Sequence, residues 1–416
     1  VSGLNPAVEA ALKRFESHYP AKIELSLGRI LNALDALERP QESLPPVIHV
    51  AGTNGKGSTC AYLRAMAEAA GLSVHVFTSP HLVRFNERIR LAGTLIEDDR
   101  LVDLLNRTYD MLDGLPLSRF EVTTAAALLA FSEAEADLLI LEVGLGGRFD
   151  ATNVIDQPAL SVITPVDFDH KQFLGTDLAG IAGEKAGIIK KNRPAVSAIQ
   201  TRICADVIAA QAAELNAPLH KLTLNDRKLV PEQVALLGEH QRLNAALAAK
   251  ALSVLDTHSI SKDAMLTGAT TAQWPGRMQK LSQGPVTNLV PGCDVWLDGG
   301  HNPHAARAIA NVLKRMGSKT VLISAMLASK DHSQFFWAFE DVADAVITLP
   351  NAEGHASADP KDLAEVARAF IPTVESAENL ETALETAQKH APDRILICGS
   401  LYLAGDVLLK NKELPS

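Results

Sequence analysis

The chain has 416 residues, of which 47% are hydrophobic and 21% charged, a composition that excludes a disordered or fibrous protein and, at roughly 150 residues per domain, predicts two or three domains. Lys and Arg total 39 against 49 Asp and Glu, for a net charge of -10, so neither nucleic acid nor an anionic membrane is expected as a partner. Four cysteines without a CxxC pair (Cys60, Cys204, Cys293, Cys398) argue against a zinc site or a disulfide framework, and with no apolar run of ~18 residues and no export signal at Val1–Pro6, a soluble cytoplasmic protein is expected.

Short β-branched runs alternate with amphipathic stretches from residue 47 onwards. Strands are predicted at Val47–Val50, Val74–Thr78, Leu138–Val143, Leu160–Thr164 and Ala195–Ile199, with helical patterns at Thr59–Ala70, Glu97–Leu112 and Glu121–Ser132 between them. Such alternation predicts a parallel sheet covered by helices on both faces. Residues 273–292 then carry three prolines and three glycines without helical periodicity. Beyond them the pattern restarts, with strands at Val295–Leu297, Thr320–Ser324, Ala345–Leu349 and Arg394–Cys398 and helices at His304–Met316, Lys361–Phe370 and Asn379–His390. The expected fold class is α/β: a P-loop-type, mainly parallel sheet domain (1–279) followed by a second, smaller Rossmann-like α/β domain (280–416).

The first strand runs into Ala51-Gly52-Thr53-Asn54-Gly55-Lys56-Gly57-Ser58 and then a helix. Glycines let backbone N–H groups approach phosphate oxygens, the helix start adds positive dipole, and Lys56 adds a point charge. Ser58 can offer a hydroxyl to Mg²⁺. The spacing departs from GxxxxGK[ST], because Gly57 separates Lys56 from Ser58. Other residues are ambiguous by themselves. Glu142 closes an apolar strand, either as a solvated end or facing the crevice where α/β sheets bind ligands. His170 and Ser79 lie near strand ends, where a structural or capping role is the ordinary one. Lys185 reads as a solvated helical lysine, and Asn244 as a surface residue on an Ala-rich helix. Arg277, in Trp-Pro-Gly-Arg, suits either a phosphate clamp or an interdomain ion pair.

The phosphate loop Gly52-Thr53-Asn54-Gly55-Lys56-Gly57-Ser58 resembles that of the Mur ligase superfamily. More narrowly, the chain resembles its folylpolyglutamate synthase and bifunctional dihydrofolate synthase branch. Supporting segments are Thr78-Ser79-Pro80-His81-Leu82, Phe85-Asn86-Glu87-Arg88-Ile89, Leu141-Glu142-Val143-Gly144-Leu145-Gly146-Gly147-Arg148-Phe149-Asp150-Ala151-Thr152-Asn153, Asp169-His170, Glu184-Lys185-Ala186-Gly187-Ile188, Gly276-Arg277, Asp298-Gly299-Gly300-His301-Asn302-Pro303 and Gly399-Ser400-Leu401-Tyr402. The phosphate loop begins about fifty residues in, which leaves no room for the nucleotide-sugar domain of several Mur ligases and favours the folate branch.

The resemblance implies an ATP-dependent amide ligase that adds L-glutamate to dihydropteroate and/or folate through an acyl phosphate. A Mur-type ligase adding an amino acid to a peptidoglycan precursor is the alternative. It implies ATP contacts at Asn54, Gly55, Lys56, Gly57, Ser58, Asn244, Arg277 and Asp298. Two Mg²⁺ sites would draw on Ser58, Ser79, Glu142, His170 and, if carbamylated, Lys185, with K⁺ as a further cation. Lys56, Lys185 and His170 would serve catalysis. Dihydropteroate or folate would meet Arg119, Phe120, Glu121, Phe149, Asp150 and Ala151, where a core phenylalanine and a helix-start glutamate are the plainer readings. Glutamate would meet Arg88, His301 and Ser400. A monomer with small-molecule substrates is expected.

Overall fold

Continuous apolar segments such as Leu138–Leu141 have no polar face to offer water, so they are stable only when covered on both sides, as in a parallel sheet between helices. The computed structural model describes residues 5–16, 19, 26–112, 114–351 and 356–416; of Val1–Pro6, which carry no export signal by sequence, Val1–Leu4 lie outside them. Its first sheet comprises β1 (Val47–Ala51), β2 (Val74–Phe77), β3 (Ile89–Leu91), β4 (Thr94–Leu95), β5 (Leu138–Glu142), β6 (Leu160–Ile163), β7 (Ala195–Ser197) and β8 (Leu219–Lys221). Their spatial order is β4-β3-β2-β5-β1-β6-β7-β8. Every pairing is parallel except β2–β3 and β3–β4, an antiparallel edge.

β1 therefore lies between β5 and β6, with Val50 opposite Glu142 on one side and Val162 on the other. Strand order reverses there, and the carboxyl ends of the three strands open a crevice. On one face, helices Lys56–Ala69, Glu239–Val254 and Lys262–Thr271 bury Tyr62, Leu63, Met66, Leu247 and Met265 against Ile48, Val50 and Ile140. On the other, helices Asp98–Leu112 and Arg119–Ser132 pack Leu104, Leu105, Leu128 and Phe131 against Leu139 and Leu141.

The second sheet holds β9 (Gln279–Lys280), β10 (Asp294–Leu297), β11 (Thr320–Ser324), β12 (Ala345–Thr348), β13 (Val374–Ser376) and β14 (Arg394–Cys398). Their order is β13-β12-β11-β14-β10-β9, with β9 alone antiparallel to its neighbour. Each strand expected from sequence is present, two with the same limits and the others with ends displaced by one or two residues. The sequence did not signal β3, β4, β8, β9 and β13. These have two or three residues each, too few for any period, and their neighbours' open edges specify them instead.

Candidate active site

The phosphate loop is shaped by contacts across the first sheet. Gly52 has φ +149 and lies so close to β6 that a Cβ would come within 1.8 Å of Thr164 Oγ1, so no other residue fits. Thr53 N–H donates to Pro165 O (3.0 Å) and its hydroxyl to Asp167 O (2.8 Å). Lys56 Nζ donates to Gly52 O (3.1 Å) and Thr53 O (3.4 Å), at the start of its helix. Ser58 is buried, and its Oγ accepts from Gln241 Nε2 at 3.2 Å. Asn244 Nδ2 donates to Gln241 Oε1 (3.1 Å), and Asn244 is buried against Gly55 rather than on the surface. Trp274 lies against Gly57.

Glu142 ends β5 at 4% exposure and accepts Ser79 N–H at 3.2 Å. Burial pushes its carboxyl up to about 7, with Lys56 pulling the other way. Lys185, on helix Leu178–Ala186, is 5% exposed and donates to Gly52 O at 3.0 Å. Burial, then Lys56, lowers its ammonium to about 7. His170 is exposed, has a left-handed φ of 51°, and precedes the short helix Lys171–Leu174.

From the second domain, Asp298 follows β10 and is buried. Its Oδ1 accepts Gly300 N–H (2.7 Å) and its Oδ2 accepts Met278 N–H (2.8 Å), which ties the interdomain segment to the loop. Arg277 Nη1 donates to Gly276 O at 2.9 Å. His301 Nδ1 is 2.9 Å from Gly299 O, while its Nε2 stands 3.6 Å from Asp169 Oδ2 in the first domain. Ser400 Oγ caps helix Leu401–Asn411 by accepting Tyr402 N–H. Arg88 donates to His81 Nδ1 (2.8 Å) and stands 5.4 Å from the centre of the Phe85 ring, its guanidinium lowered to about 10 by burial and then by Arg119.

The residues expected to hold a pterin are arranged unequally. Phe120 presses on Gly144, two residues after Glu142, where a Cβ would be 2.4 Å from its ring. Phe149 is 42% exposed, Ala151 is buried, and Arg119 is exposed at the start of helix Arg119–Ser132. Glu121 closes a capping box with Ser118 (2.7 Å) and meets Arg29 Nε at 3.2 Å. Asp150 accepts from Thr152 N, Thr152 Oγ1 and Leu145 N. Both carboxylates thus have local partners.

Lys56, Ser58, Ser79, Glu142 and His170 line a cavity of about 640 Å³ together with Asp298 and His301 of the second domain. Among the described residues no three His, Cys, Asp or Glu side chains converge on one point. A divalent ion beside the phosphate loop would therefore rely on the Ser58 and Ser79 hydroxyls and Glu142, hard donors that suit it. A buried carboxylate with one backbone donor and a raised pKa has the electrostatics of a group awaiting a cation. The sequence reading had not singled out Gln241, Trp274 and Lys330. Gln241 stands three residues before Asn244 on one helix face, a spacing that could have revealed it; Lys330 had no local signal.

The chain matches the Mur ligase middle domain over residues 50–228 and the Mur ligase glutamate ligase domain over 276–401. It is 32% identical to the dihydrofolate synthase/folylpolyglutamate synthase of Bacillus subtilis over 426 residues, covering 94% of this chain and 96% of the relative. Mycobacterium tuberculosis folylpolyglutamate synthase complexed with ADP superposes with a TM-score of 0.87 at 29% identity, covering 98% of this chain and 100% of that one. The bifunctional folylpolyglutamate synthase/dihydrofolate synthase of Yersinia pestis complexed with AMPPNP and Mn ion has a TM-score of 0.83 at 31% identity, covering 98% of each chain.

Proposed function

We propose, for a chain that belongs to the Mur ligases and within them to the folylpolyglutamate synthase/dihydrofolate synthase family, that the cavity between its domains joins the carboxyl group of dihydropteroate, and of a folate, to the amine of L-glutamate. The chain is an ATP-dependent glutamate ligase. Its family membership favours this reading over the peptidoglycan one. The observation that carries the site assignment is the cavity itself: a phosphate loop on one wall and the Asp298–His301 loop on the other.

The substrate carboxylate attacks the γ-phosphorus of ATP, the bond to the β-phosphate oxygen breaks, and ADP leaves. The glutamate amine then attacks the acyl phosphate, inorganic phosphate departs, and the amine loses a proton. Lys56 would turn from the Gly52 and Thr53 carbonyls to the phosphate oxygens and offset charge as it builds on the transferred group. Loop N–H groups at Asn54, Gly55 and Gly57 would orient the nucleotide, with Asn244 on its nucleoside side, and Arg277 would meet the phosphates from the interdomain segment. Asp298 holds that segment in place through Met278 N–H. Phe120 and Phe149 offer aromatic faces to a flat heterocycle beside Arg119 and Ala151, while Glu121 and Asp150 shape the walls. Arg88, His301 and Ser400 would receive the incoming glutamate.

ATP and a divalent cation serve the reaction; we assign the cation as Mg²⁺ at two sites, with K⁺ as a further ion. When bound, the divalent ion supplies Lewis-acid neutralisation of phosphate charge. Ser58, Ser79 and Glu142 would hold one ion. His170 and Lys185 would hold the other, Lys185 after its neutral amine adds CO₂ and releases a proton to leave a carbamate. The lowered pKa of Lys185 supports that modification, because a neutral amine is what CO₂ captures. We divide the chain at about residue 279 and place it in the cytoplasm as a monomer. Among the described residues no helix is long and apolar enough to cross a membrane.

Incorporation of labelled glutamate, assayed across dihydropteroate, tetrahydrofolate and UDP-linked peptidoglycan precursors, tests the reading. Amide should form with pteroate-type acceptors, and Lys56→Ala should lower the rate by at least about a hundredfold at saturating ATP with the fold intact. Glutamate transfer to the UDP-linked acceptor alone would overturn it.

A further inference from the structure

Asp169 belongs to the first domain, yet most of its partners come from the second. Lys330 Nζ lies 2.6 Å from its Oδ1, and the two side chains are 11% and 12% exposed. Asn302 Nδ2 donates to Oδ2 at 3.1 Å, and His301 Nε2 stands 3.6 Å from the same oxygen. Lys330 is delivered by a stiff turn: its N–H bonds Leu327 O, Ala328 N–H bonds Ala356 O, and the next residue, Asp331, caps helix His332–Trp337.

Two links carry this pair into the reaction centre. Asp169 Oδ1 also accepts the backbone N–H of His170 at 2.8 Å, at the residue whose φ is left-handed. Asn302 Nδ2 also donates to Asn54 Oδ1 in the phosphate loop at 3.0 Å. One carboxylate therefore joins the second domain, His170, His301 and, through one amide, the phosphate loop. The neighbouring pair Arg307–Asp167 (3.3 Å) is more exposed and adds little by itself.

We propose that Asp169 and Lys330 form a closing latch, in which Lys330 of the second domain docks on Asp169 to seal the cavity during amide formation and Asp169 acts as a positioning residue for His170 and His301. The reading rests on the proposed function, since a latch matters most where an acyl phosphate must be kept from water. A largely buried ion pair suits this task. Removing one partner leaves the other charge uncompensated, so the pair stabilises one geometry and disfavours partly open ones.

The test uses the full chain. ADP release and amide formation are measured together for the parent, Lys330→Met, Asp169→Asn, the double variant and Lys330→Arg, with dihydropteroate and glutamate. In the parent the two products should appear in step. In Lys330→Met, KM for glutamate should rise about tenfold and ADP should exceed amide several-fold, as intermediate is lost to water. Lys330→Arg should restore much of the coupling, and the double variant should be no worse than the worse single one. Mere loss of folded protein would lower both products together and leave their ratio unchanged. Small-angle scattering with AMPPNP and Mg²⁺ reads closure independently of the acceptor, and Lys330→Met should show a larger radius of gyration than the parent. If the parent forms no amide the functional reading fails, while scattering still judges the latch. An unchanged ADP-to-amide ratio in Lys330→Met that melts at the parent's temperature, or equal radii, would overturn the latch.

Discussion

His49 lies in the middle of β1 with no exposed surface. Thr152 Oγ1 donates to Asp150 Oδ1 (2.6 Å), so it accepts from His49 Nε2–H (2.8 Å), and His49 Nδ1 has no partner. A second proton would create a buried unpaired N–H, and burial accordingly holds the imidazole at about 3, well below its ordinary 6.5. The sign follows: the stability of the neutral form is complete above about pH 6.5 and is lost as pH falls from there towards 3. Its loss should amount to about 1.4 kcal/mol per pH unit, or about 2 kcal/mol by pH 5. Urea midpoints of the parent should fall between pH 7 and pH 5. His49→Gln, which keeps a donor towards Thr152 and cannot titrate, should show a shallower fall; parallel slopes would show that the acid sensitivity lies elsewhere. The sequence marked Asp150 as part of a motif and Thr152 engages it locally, but the further link from Thr152 to His49 depends on a strand 103 residues away.

At the scale of elements, the phosphate-loop helix Lys56–Ala69 owes its position to helix Lys262–Thr271 as much as to the sheet. Gly268 is the point of closest approach: a Cβ there would lie 2.3 Å from Met66 N and 2.4 Å from Met66 Cα. Backbone atoms inside a helix cannot yield as a side-chain tip can. Gly268→Ala gains about 1 kcal/mol of helix propensity, yet overpacking here should outweigh that and leave a net loss of about 1–3 kcal/mol. Thermal denaturation should show the lower midpoint, and KM for ATP should rise as the loop shifts. Gly28, with nothing within 4 Å of the same position, serves as the control, where alanine should be neutral or stabilising. Equal stability of Gly268→Ala and the parent would mean that the two helices can separate freely. The long strands and the helix that follows the phosphate loop were legible because their periods are local. Helix Lys262–Thr271 was not singled out, since a stripe of Ala, Met and Gly has little hydrophobic contrast.

Across the whole molecule, the two domains meet at several separate places, and each constrains the cavity. Helix Leu401–Asn411 lays Gly405 on the backbone of Leu82, so closely that a Cβ would fall 2.0 Å from Leu82 O. Leu82 follows Ser79 and its N–H donates to Glu87 (2.7 Å). Farther along, Arg84 donates to Pro415 O (3.1 Å) and Arg90 to Ser416 O (2.8 Å). Gly405→Ala should therefore separate the domains at this edge without unfolding either. Its expected signature is a nearly unchanged melting profile with kcat/KM for amide formation lowered at least about tenfold. A drop in melting temperature matching the loss of activity would instead mark Gly405 as an ordinary packing residue.

The sequence by itself determined the α/β alternation, the break over residues 273–292 with the restart beyond it, and the glycine-rich loop with its lysine. All of these arise from neighbours within a turn or two of chain, where periodicity and backbone freedom operate. Only the tertiary structure decided that Asn244 backs the phosphate loop, that Arg29 meets Glu121 from 92 residues away, and that Asp169 meets Lys330 from 161 residues away. It also decided that Glu142 and Lys185 are buried deeply enough for their pKa values to approach each other near 7. Desolvation and charge pairing depend on what surrounds a group in space, and that surrounding is assembled from segments that no local pattern connects.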